Sequence, residues 1–129
     1  MRLLLDTHGL IWWWAQYRLI LGTRAHALLS DPMNDIFVSA ATGWEIATKY
    51  RSGRLELPVP IDGFEAAVAN EGFVALDVTM AHAVRAGTYD AQHRDPFDRL
   101  LAAQAELEGL TLLTRDPAFV AFPCTTLWD

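Results

Sequence analysis

Two short apolar segments, one near each end of the chain, stop at an acidic residue. The run Leu3–Leu5 leads into Asp6, and the run TLLT, which starts at Thr111, leads through one arginine to Asp116. Continuous apolar runs are typical of strands that are buried on both faces of a parallel sheet. In open parallel sheets the ligand lies beyond the carboxyl ends of the strands. The two acids are therefore predicted to lie at one edge of a sheet.

Two further acids are expected near this edge. Asp98 begins the helix that leads into the second apolar run, and Glu45 lies near the start of a helix beside Trp44, whose bulk suggests a partly buried location. Crowded carboxylates repel one another and burial raises their pKa, so such a cluster is stable when a cation lies within it. All-oxygen ligands suit Mg²⁺ or Mn²⁺, which commonly activate water and stabilise a phosphodiester under attack. Thr114, on the same side of its strand as Asp116, could add a hydroxyl to the water network.

Each acid also has an interpretation that involves no ligand. Asp98 would lie in the first turn of a helix, where a negative charge complements the helix dipole. Glu45 precedes Lys49 by four residues, a spacing that suits a surface ion pair. For Asp95 the structural role is favoured, because Pro96 follows it and proline prefers the first position of a helix. The acids that precede a predicted helix or turn, and could be N-caps, are Asp6, Asp95 and Asp116.

The composition indicates one folded domain. The 129 residues are 52% hydrophobic and 20% charged, which allows a buried core and excludes a disordered chain. No stretch has the ~18 uncharged apolar residues of a membrane span. The one cysteine, Cys124, excludes an internal disulfide and a cysteine-based zinc site. A reduced, cytoplasmic protein with no membrane association is expected.

Strands and helices alternate along the sequence, which predicts a parallel sheet with helices on both faces. The predicted strands are Arg2–Leu5, Ile36–Val38, Phe73–Leu76 and Thr111–Thr114, with Thr125–Leu127 as a candidate fifth. The predicted helices are Thr7–Ala15, Arg18–Leu29, the segment from Ser39 to about Ser52, Ile61–Asn70, Thr79–Ala86 and the segment from Asp95 to near Gly109. In the third of these helices one face is expected to consist of Ala40, Ala41, Trp44, Ala47 and Thr48.

Four segments of the chain, in order, resemble PIN-domain proteins of the VapC type, the toxins of toxin–antitoxin pairs. They read LLLDTHGLIWW, VSAATGWEIATKYRSGRLELP, HRDPFDRLLAAQAELEGLTLLTRD and the closing phenylalanine and tryptophan. The resemblance implies a single PIN domain over residues 1–129, with a three-layer α/β/α fold around a small parallel sheet of four to five strands. It also implies a Mg²⁺- or Mn²⁺-dependent endoribonuclease, which hydrolyses phosphodiester bonds in RNA.

The resemblance also implies which residues carry the chemistry. By position, the four metal-binding and catalytic acids of the family correspond to Asp6, Glu45, Asp98 and Asp116. Asp95 precedes the third acid and matches no metal ligand. The sequence departs from the family at Thr42 and Gly43, where relatives often have a serine and an apolar residue. His93, in a loop beside charged residues, is expected to be a structural or RNA-contacting residue rather than a general base.

The charge of the chain bears on how it could hold RNA. The net charge of −6 argues against a module that binds nucleic acid through a broad basic surface. It argues less strongly against an enzyme that grips nucleic acid locally around a metal ion. Basic residues in segments that feed the predicted site could supply local positive charge, and the RNA-binding candidates are Lys49, Arg51, Arg94, Arg99 and Arg115. Arg99 could instead pair with a neighbouring acid.

The resemblance implies protein partners, namely a cognate antitoxin that lies along the toxin and a second copy of the chain in a homodimer. One feature of the sequence agrees independently. Trp12, Trp13 and Trp14 are consecutive, and successive helical positions point about 100° apart, so the three are not expected to face one core. At least one of them is predicted to lie at a protein interface, where aromatic residues are enriched.

Two other functions fit the residues alone. The first is a different metal-dependent phosphoryl-transfer enzyme, such as a DNA nuclease or a phosphatase, because the acids by themselves do not distinguish the substrate. The second is a non-catalytic module that uses the tryptophans and a hydrophobic groove to hold a peptide. That module would bind neither Mg²⁺ nor Mn²⁺, and the retained acids argue against it.

Overall fold

Five short strands form one parallel sheet in the computed structural model, which describes all of residues 1–129. The strands are β1 (Arg2–Leu5), β2 (Asp35–Ser39), β3 (Val74–Leu76), β4 (Thr111–Leu113) and β5 (Thr126–Leu127). Their order across the sheet is β3-β2-β1-β4-β5, so β1 lies at the centre. Leu5 pairs with Val38 on one side and with Leu113 on the other. The residues that follow, Asp6 and Thr114, therefore leave the sheet side by side at its carboxyl edge.

Seven helices and two 3₁₀ turns connect the strands. The helices are α1 (Thr7–Trp14), α2 (Arg18–Leu21), α3 (Thr23–Ser30), α4 (Ala40–Arg51), α5 (Phe64–Asn70), α6 (Met80–Thr88) and α7 (Pro96–Glu108). The 3₁₀ turns are Ile61–Gly63 and Pro117–Ala121. None of the helices is long and apolar enough to cross a membrane.

The alternation of side chains along β1 divides the interior into two cores. Leu3 and Leu5 belong to the core that includes residues of α1, α3, α4 and α5, whereas Leu4 belongs to the core formed with α6 and α7. All three leucines are fully buried, and each such burial stabilises the fold by about 1.5–3 kcal/mol. Burial on both faces of the sheet explains why the apolar run is unbroken.

The predicted three-layer α/β/α fold is confirmed, with all five strands present. The principal difference concerns the predicted helix Arg18–Leu29, which is divided into α2 and α3 at Gly22. The φ of Gly22 is +85°, a conformation that is easy only for a residue without a Cβ. A smaller difference is that the predicted helix Ile61–Asn70 begins as a 3₁₀ turn.

The predicted apolar face of α4 is wrong. Trp44 keeps 59% of its surface exposed and stacks edge-on against Phe97 of α7, with the ring centroids 4.7 Å apart. Of the predicted face only Ala41 is fully buried, and the other buried residues of α4 are Thr42, Glu45 and Ile46. The inner face includes a threonine and a glutamate, so the spacing of apolar residues alone does not identify it.

The prediction that the three consecutive tryptophans do not share a core is also wrong. Trp14 is buried, and Trp12 and Trp13 are partly buried against the same core. The helix α1 is short and is covered by different elements on its different sides, so three successive side chains each find a partner. Aromatic partners are Trp128 for Trp12, Phe73 for Trp13 and Phe64 for Trp14. Trp14 is the most buried of the three, with 9% of its surface exposed.

Gly9 in the first turn of α1 provides a test of this packing. A Cβ at Gly9 would lie 2.6 Å from Leu5 Cδ1 and 2.9 Å from Asp6 Oδ1, closer than atoms can approach without displacement. We expect Gly9→Ala to lower the free energy of unfolding by about 1–3 kcal/mol, because overpacking a buried site displaces its neighbours. Urea denaturation measures this change.

The matched control is Gly87→Ala in α6, where a Cβ would meet nothing within 4 Å. The greater helix propensity of alanine is expected to raise the stability of this variant by up to about 1 kcal/mol. Equal stability of Gly9→Ala and the unsubstituted protein would contradict the close packing of Gly9 against Leu5 and Asp6.

Candidate active site

Asp6 is the most enclosed of the four predicted acids, with 4% of its surface exposed. It caps the N-terminus of α1, where its Oδ1 accepts a hydrogen bond of 2.7 Å from the backbone N–H of Gly9. Its Oδ2 accepts a second, of 2.6 Å, from Thr114 Oγ1. Burial raises the pKa of Asp6, and the charge of Asp116 also raises it, whereas the two hydrogen bonds lower it. A cation beside Asp6 would oppose the effect of burial.

Thr114 connects Asp6 with Asp116. Its hydroxyl donates to Asp6 Oδ2 and accepts a hydrogen bond of 3.1 Å from the backbone N–H of Asp116. Thr114 is 4% exposed, so this connection is shielded from solvent. Asp116 is exposed and caps the 3₁₀ turn that follows, accepting from the N–H of Ala118 at 2.9 Å. The sequence pointed to Thr114 as part of a water network, and its direct contact with Asp6 is a tertiary feature.

Asp98 lies in the first turn of α7. The N-cap of this helix is Asp95, whose Oδ1 accepts from the N–H groups of Phe97 and Asp98 at 2.9 and 3.3 Å. Asp98 Oδ2 lies 2.7 Å from His93 Nε2. The pKa of Asp98 is raised to about 6, chiefly by burial; the hydrogen bond with His93 opposes this rise, and the charges of Asp95 and Glu45 add to it. The capping role and the candidate site role are thus divided between Asp95 and Asp98.

Glu45 projects from the inner face of α4 and is 6% exposed. Its Oε2 forms the predicted ion pair with Lys49 Nζ at 3.0 Å. One turn earlier on the same face, Thr42 Oγ1 lies 3.1 Å from Thr7 Oγ1 in a buried contact that joins α4 to α1. The aromatic pair of Trp44 and the α7 phenylalanine joins α4 to α7 on the other side. This contact holds together the two helices that carry Glu45 and Asp98.

The four acids form two electrostatic pairs. After the effect of burial, the charge of Asp116 raises the pKa of Asp6, and the charges of Asp95 and Glu45 raise the pKa of Asp98. No group of three or more His, Cys, Asp or Glu side chains lies close enough together to hold a metal ion. Each carboxylate instead contacts a partner within the protein, so the predicted cluster of four acids is not preassembled.

The basic residues differ in what they contact. Arg51 and Arg94 are exposed to solvent. Arg115 is exposed, but it donates to the carbonyl of Ile20 at 3.1 Å and lies over the ring of Trp12, 5.7 Å from its centroid. Arg99 forms no ion pair with an acid; its guanidinium donates to four backbone carbonyls of the segment 86–93.

An open cavity of about 510 Å³ adjoins Asp116. Two of its apolar residues are strongly exposed, namely Leu19 at 101% and Val120 at 82% of their surface. The residues that line it include Thr114, Arg115, Asp116, Ile20 and Trp128. Polar groups of the candidate site thus continue directly into an apolar surface.

Several residues that build the site were not predicted to have a role in it. The contact between Thr7 and Thr42 positions α4, and the absence of a side chain at Gly9 leaves room for Asp6. The Asp-x-x-Gly spacing of a helix start could have indicated Gly9, since the third helical N–H is the one that an N-cap side chain binds. The threonine pair carried no local signal, because its members lie 35 positions apart.

Comparison with known proteins identifies the family. The sequence profile of the PIN domain matches residues 3–123. None of the curated proteins matched the sequence significantly.

Three solved structures share the fold. A chain of the VapBC2 structure from Rickettsia felis, bound to a DNA fragment from the promoter, is similar with a TM-score of 0.71 at 16% identity, and covers 100% of each chain. A chain of FitAcB from Neisseria gonorrhoeae is similar with a TM-score of 0.59 at 21% identity, and the match covers 97% of this chain and 96% of the other. A chain of a toxin–antitoxin complex from Klebsiella pneumoniae is similar with a TM-score of 0.58 at 23% identity, and the match covers 96% of this chain and 94% of the other. The profile match extends over nearly the whole chain and the fold agrees with it, so this protein belongs to the PIN domain family.

Proposed function

We propose that this protein is a Mg²⁺- or Mn²⁺-dependent endoribonuclease and the toxin of a toxin–antitoxin pair. The observation that carries the proposal is the buried Asp6 carboxylate at the carboxyl edge of the sheet, bound by Thr114 and close to Asp116. The second pair, Glu45 and Asp98, lies on helices that pack against each other at the same end of the strands. Membership of the PIN domain family supports hydrolysis of phosphodiester bonds.

The donor chemistry fits a hard divalent cation. All four acids offer carboxylate oxygens, and the chain has one cysteine, which lies elsewhere. Mg²⁺ keeps several of its water ligands and is usually bound through one or two carboxylates, so it does not require three protein ligands in contact. We expect Asp6 and Asp98 to hold the ion with Asp116, directly or through water. When bound, such an ion lowers the pKa of a water molecule and neutralises phosphate oxygens.

The protein groups around the ion would orient and hold the reactants. Thr114 keeps one oxygen of Asp6 in a fixed direction, because its hydroxyl donates at 2.6 Å. Glu45 would bind the ion or orient the attacking water, and Lys49 Nζ, at 3.0 Å from Glu45 Oε2, would hold that side chain in place. Exposed Arg94 and Arg115 would contact phosphates of the RNA and supply positive charge that the chain lacks overall.

The cognate antitoxin is expected to bind at the cavity beside Asp116. Leu19 and Val120 are exposed there and offer apolar contacts, while Arg115 at the same cavity offers a positive charge. Trp12 and Trp13, which are partly buried, remain candidates for a protein interface. The similarity to chains of toxin–antitoxin complexes supports this partner, and the family resemblance further implies a homodimer.

The first test of this proposal is charge removal at the acids. We expect Asp6→Asn and Asp98→Asn each to reduce RNA cleavage at least a hundredfold without unfolding the protein. The control is Asp95→Asn, which removes the same charge three residues from Asp98 but leaves a good helix cap and should cleave within a few-fold of the unsubstituted protein. Rates are measured with Mg²⁺ or Mn²⁺ on RNA, single-stranded DNA and a simple phosphate ester. Full activity of either acid variant removes that residue from the mechanism, and preferential cleavage of DNA or the ester excludes a ribonuclease.

The second test is the pH dependence of stability. The pKa of Asp98 is about 6 in the folded protein against an ordinary value of 3.8, so the folded state binds the proton more tightly. Without metal, the free energy of unfolding should therefore fall as pH rises from about 4 to 6. Millimolar Mn²⁺ competes with that proton, so the thermal stabilisation that it causes should grow over the same range and be complete above pH 7.

The matched variant for this second test is Asp98→Asn. Without metal at pH 7.5 we expect it to be more stable than the unsubstituted protein, by on the order of 1 kcal/mol, because no buried charge is left uncompensated. Mn²⁺ should raise its melting temperature much less. An equal rise in both proteins would show that Asp98 does not bind the ion.

A further inference from the structure

The segment between α6 and α7 is ordered by a side chain rather than by its own backbone. Residues 89–95 contain no helix or strand. None of the backbone hydrogen bonds outside the helices and strands has the carbonyl of Tyr89, Ala91 or His93 as its acceptor. Backbone carbonyls without partners are costly when buried, so something else must hold this segment.

The guanidinium of Arg99 supplies the hydrogen-bond donors for these carbonyls. Its Nε donates to the carbonyl of Ala86 at 2.7 Å and its Nη2 to that of Tyr89 at 2.6 Å. Its Nη1 donates to the carbonyls of Ala91 and His93 at 3.2 and 2.8 Å. One side chain thus binds the last turn of α6 and three points of the connection between the two helices. Lysine could not do this, because its donors all radiate from one nitrogen, whereas the guanidinium spreads five N–H groups in a plane.

The clamped segment carries the imidazole that contacts Asp98. His93 Nε2 lies 2.7 Å from Asp98 Oδ2, and the ring packs edge-on against Phe122, with centroids 5.8 Å apart. The carbonyl of the same histidine is one of the four acceptors of Arg99. The position of the imidazole therefore depends on Arg99, which lies next to Asp98 in the first turn of α7.

We propose that Arg99 is a positioning residue for the candidate site: by clamping the segment 86–93 it places His93, and His93 orients the Asp98 carboxylate. Arg99 itself contacts neither RNA nor metal in this role. The effect on cleavage rests on the proposed function, whereas the effect on His93 does not. The RNA-binding role predicted for Arg99 from the sequence is replaced by one inside the protein.

The test compares Arg99→Gln and Arg99→Lys with Arg85→Gln. Arg85 is a matched control because its guanidinium also connects α6 with α7. It pairs with Glu106 of α7 at 2.7 and 3.1 Å and lies over the ring of Tyr89. It donates to none of the carbonyls of the segment. NMR of ¹⁵N-labelled imidazoles is recorded without metal, with the four histidines of the chain assigned by substitution.

In both Arg99 variants we expect the His93 resonances to move to those of a solvent-exposed imidazole. Arg85→Gln should leave the His93 resonances in place even if it lowers the melting temperature. For cleavage, kcat should fall at least tenfold in the Arg99 variants with KM within threefold, and should be unchanged in Arg85→Gln.

Unaltered His93 resonances in a folded Arg99 variant would overturn the proposal. The proposal would also be overturned if an Arg99 variant shows displaced His93 resonances but an unchanged kcat, provided that Asp98→Asn abolishes cleavage. If the unsubstituted protein cleaves no RNA, the proposed function fails while the NMR comparison still decides the role of the clamp. If neither Arg99 variant folds, the Nε–H exchange of Arg99 in the unsubstituted protein decides, since a rate equal to that of exposed Arg51 or Arg94 would contradict the clamp.

Discussion

The hydrogen bond between Thr114 and Asp6 is the contact on which the position of the candidate site depends. It joins the ends of β1 and β4, which are neighbours in the sheet although 108 positions separate the two residues. The parallel register of these strands aligns Leu5 with Leu113 and so brings the next residues together. Because this hydrogen bond is buried, it fixes the orientation of the Asp6 carboxylate. Thr114 also accepts from the backbone N–H of Asp116 and so places Asp116 near Asp6.

The second pair of acids is brought to the same end of the sheet by packing between helices. Trp44 and Phe97 stack at the contact of α4 with α7, and each is followed directly by an acid of the pair. Apolar contact thus opposes the repulsion between Glu45 and Asp98, while Lys49 and His93 supply compensating donors. A divalent cation at this end of the sheet, as proposed above, would offset the cost of burying these carboxylates.

Each acid has a local structural role as well as a place in the site. Asp6 and Asp116 cap the elements that follow them, and the capping geometry directs the remaining carboxylate oxygens away from the backbone. The structural and functional interpretations of these residues are therefore compatible. In α7 the two roles are separated, since Asp95 caps the helix and the carboxylate of Asp98, three residues later, contacts His93 instead of the helix backbone.

Features that depend on neighbours in the chain could be predicted from the sequence alone. The buried run of β1, the start of α7 at Asp95 and its end at Gly109, where φ is +64°, follow from apolar runs, caps and turn residues. The inner face of α4 and the role of Arg99 could not be predicted in this way, because both depend on partners supplied by other elements. An arginine gives the same signal in a sequence whether its guanidinium binds a phosphate or a backbone carbonyl. Only the packing of α6 against α7 decided between them, by placing four carbonyls within its reach.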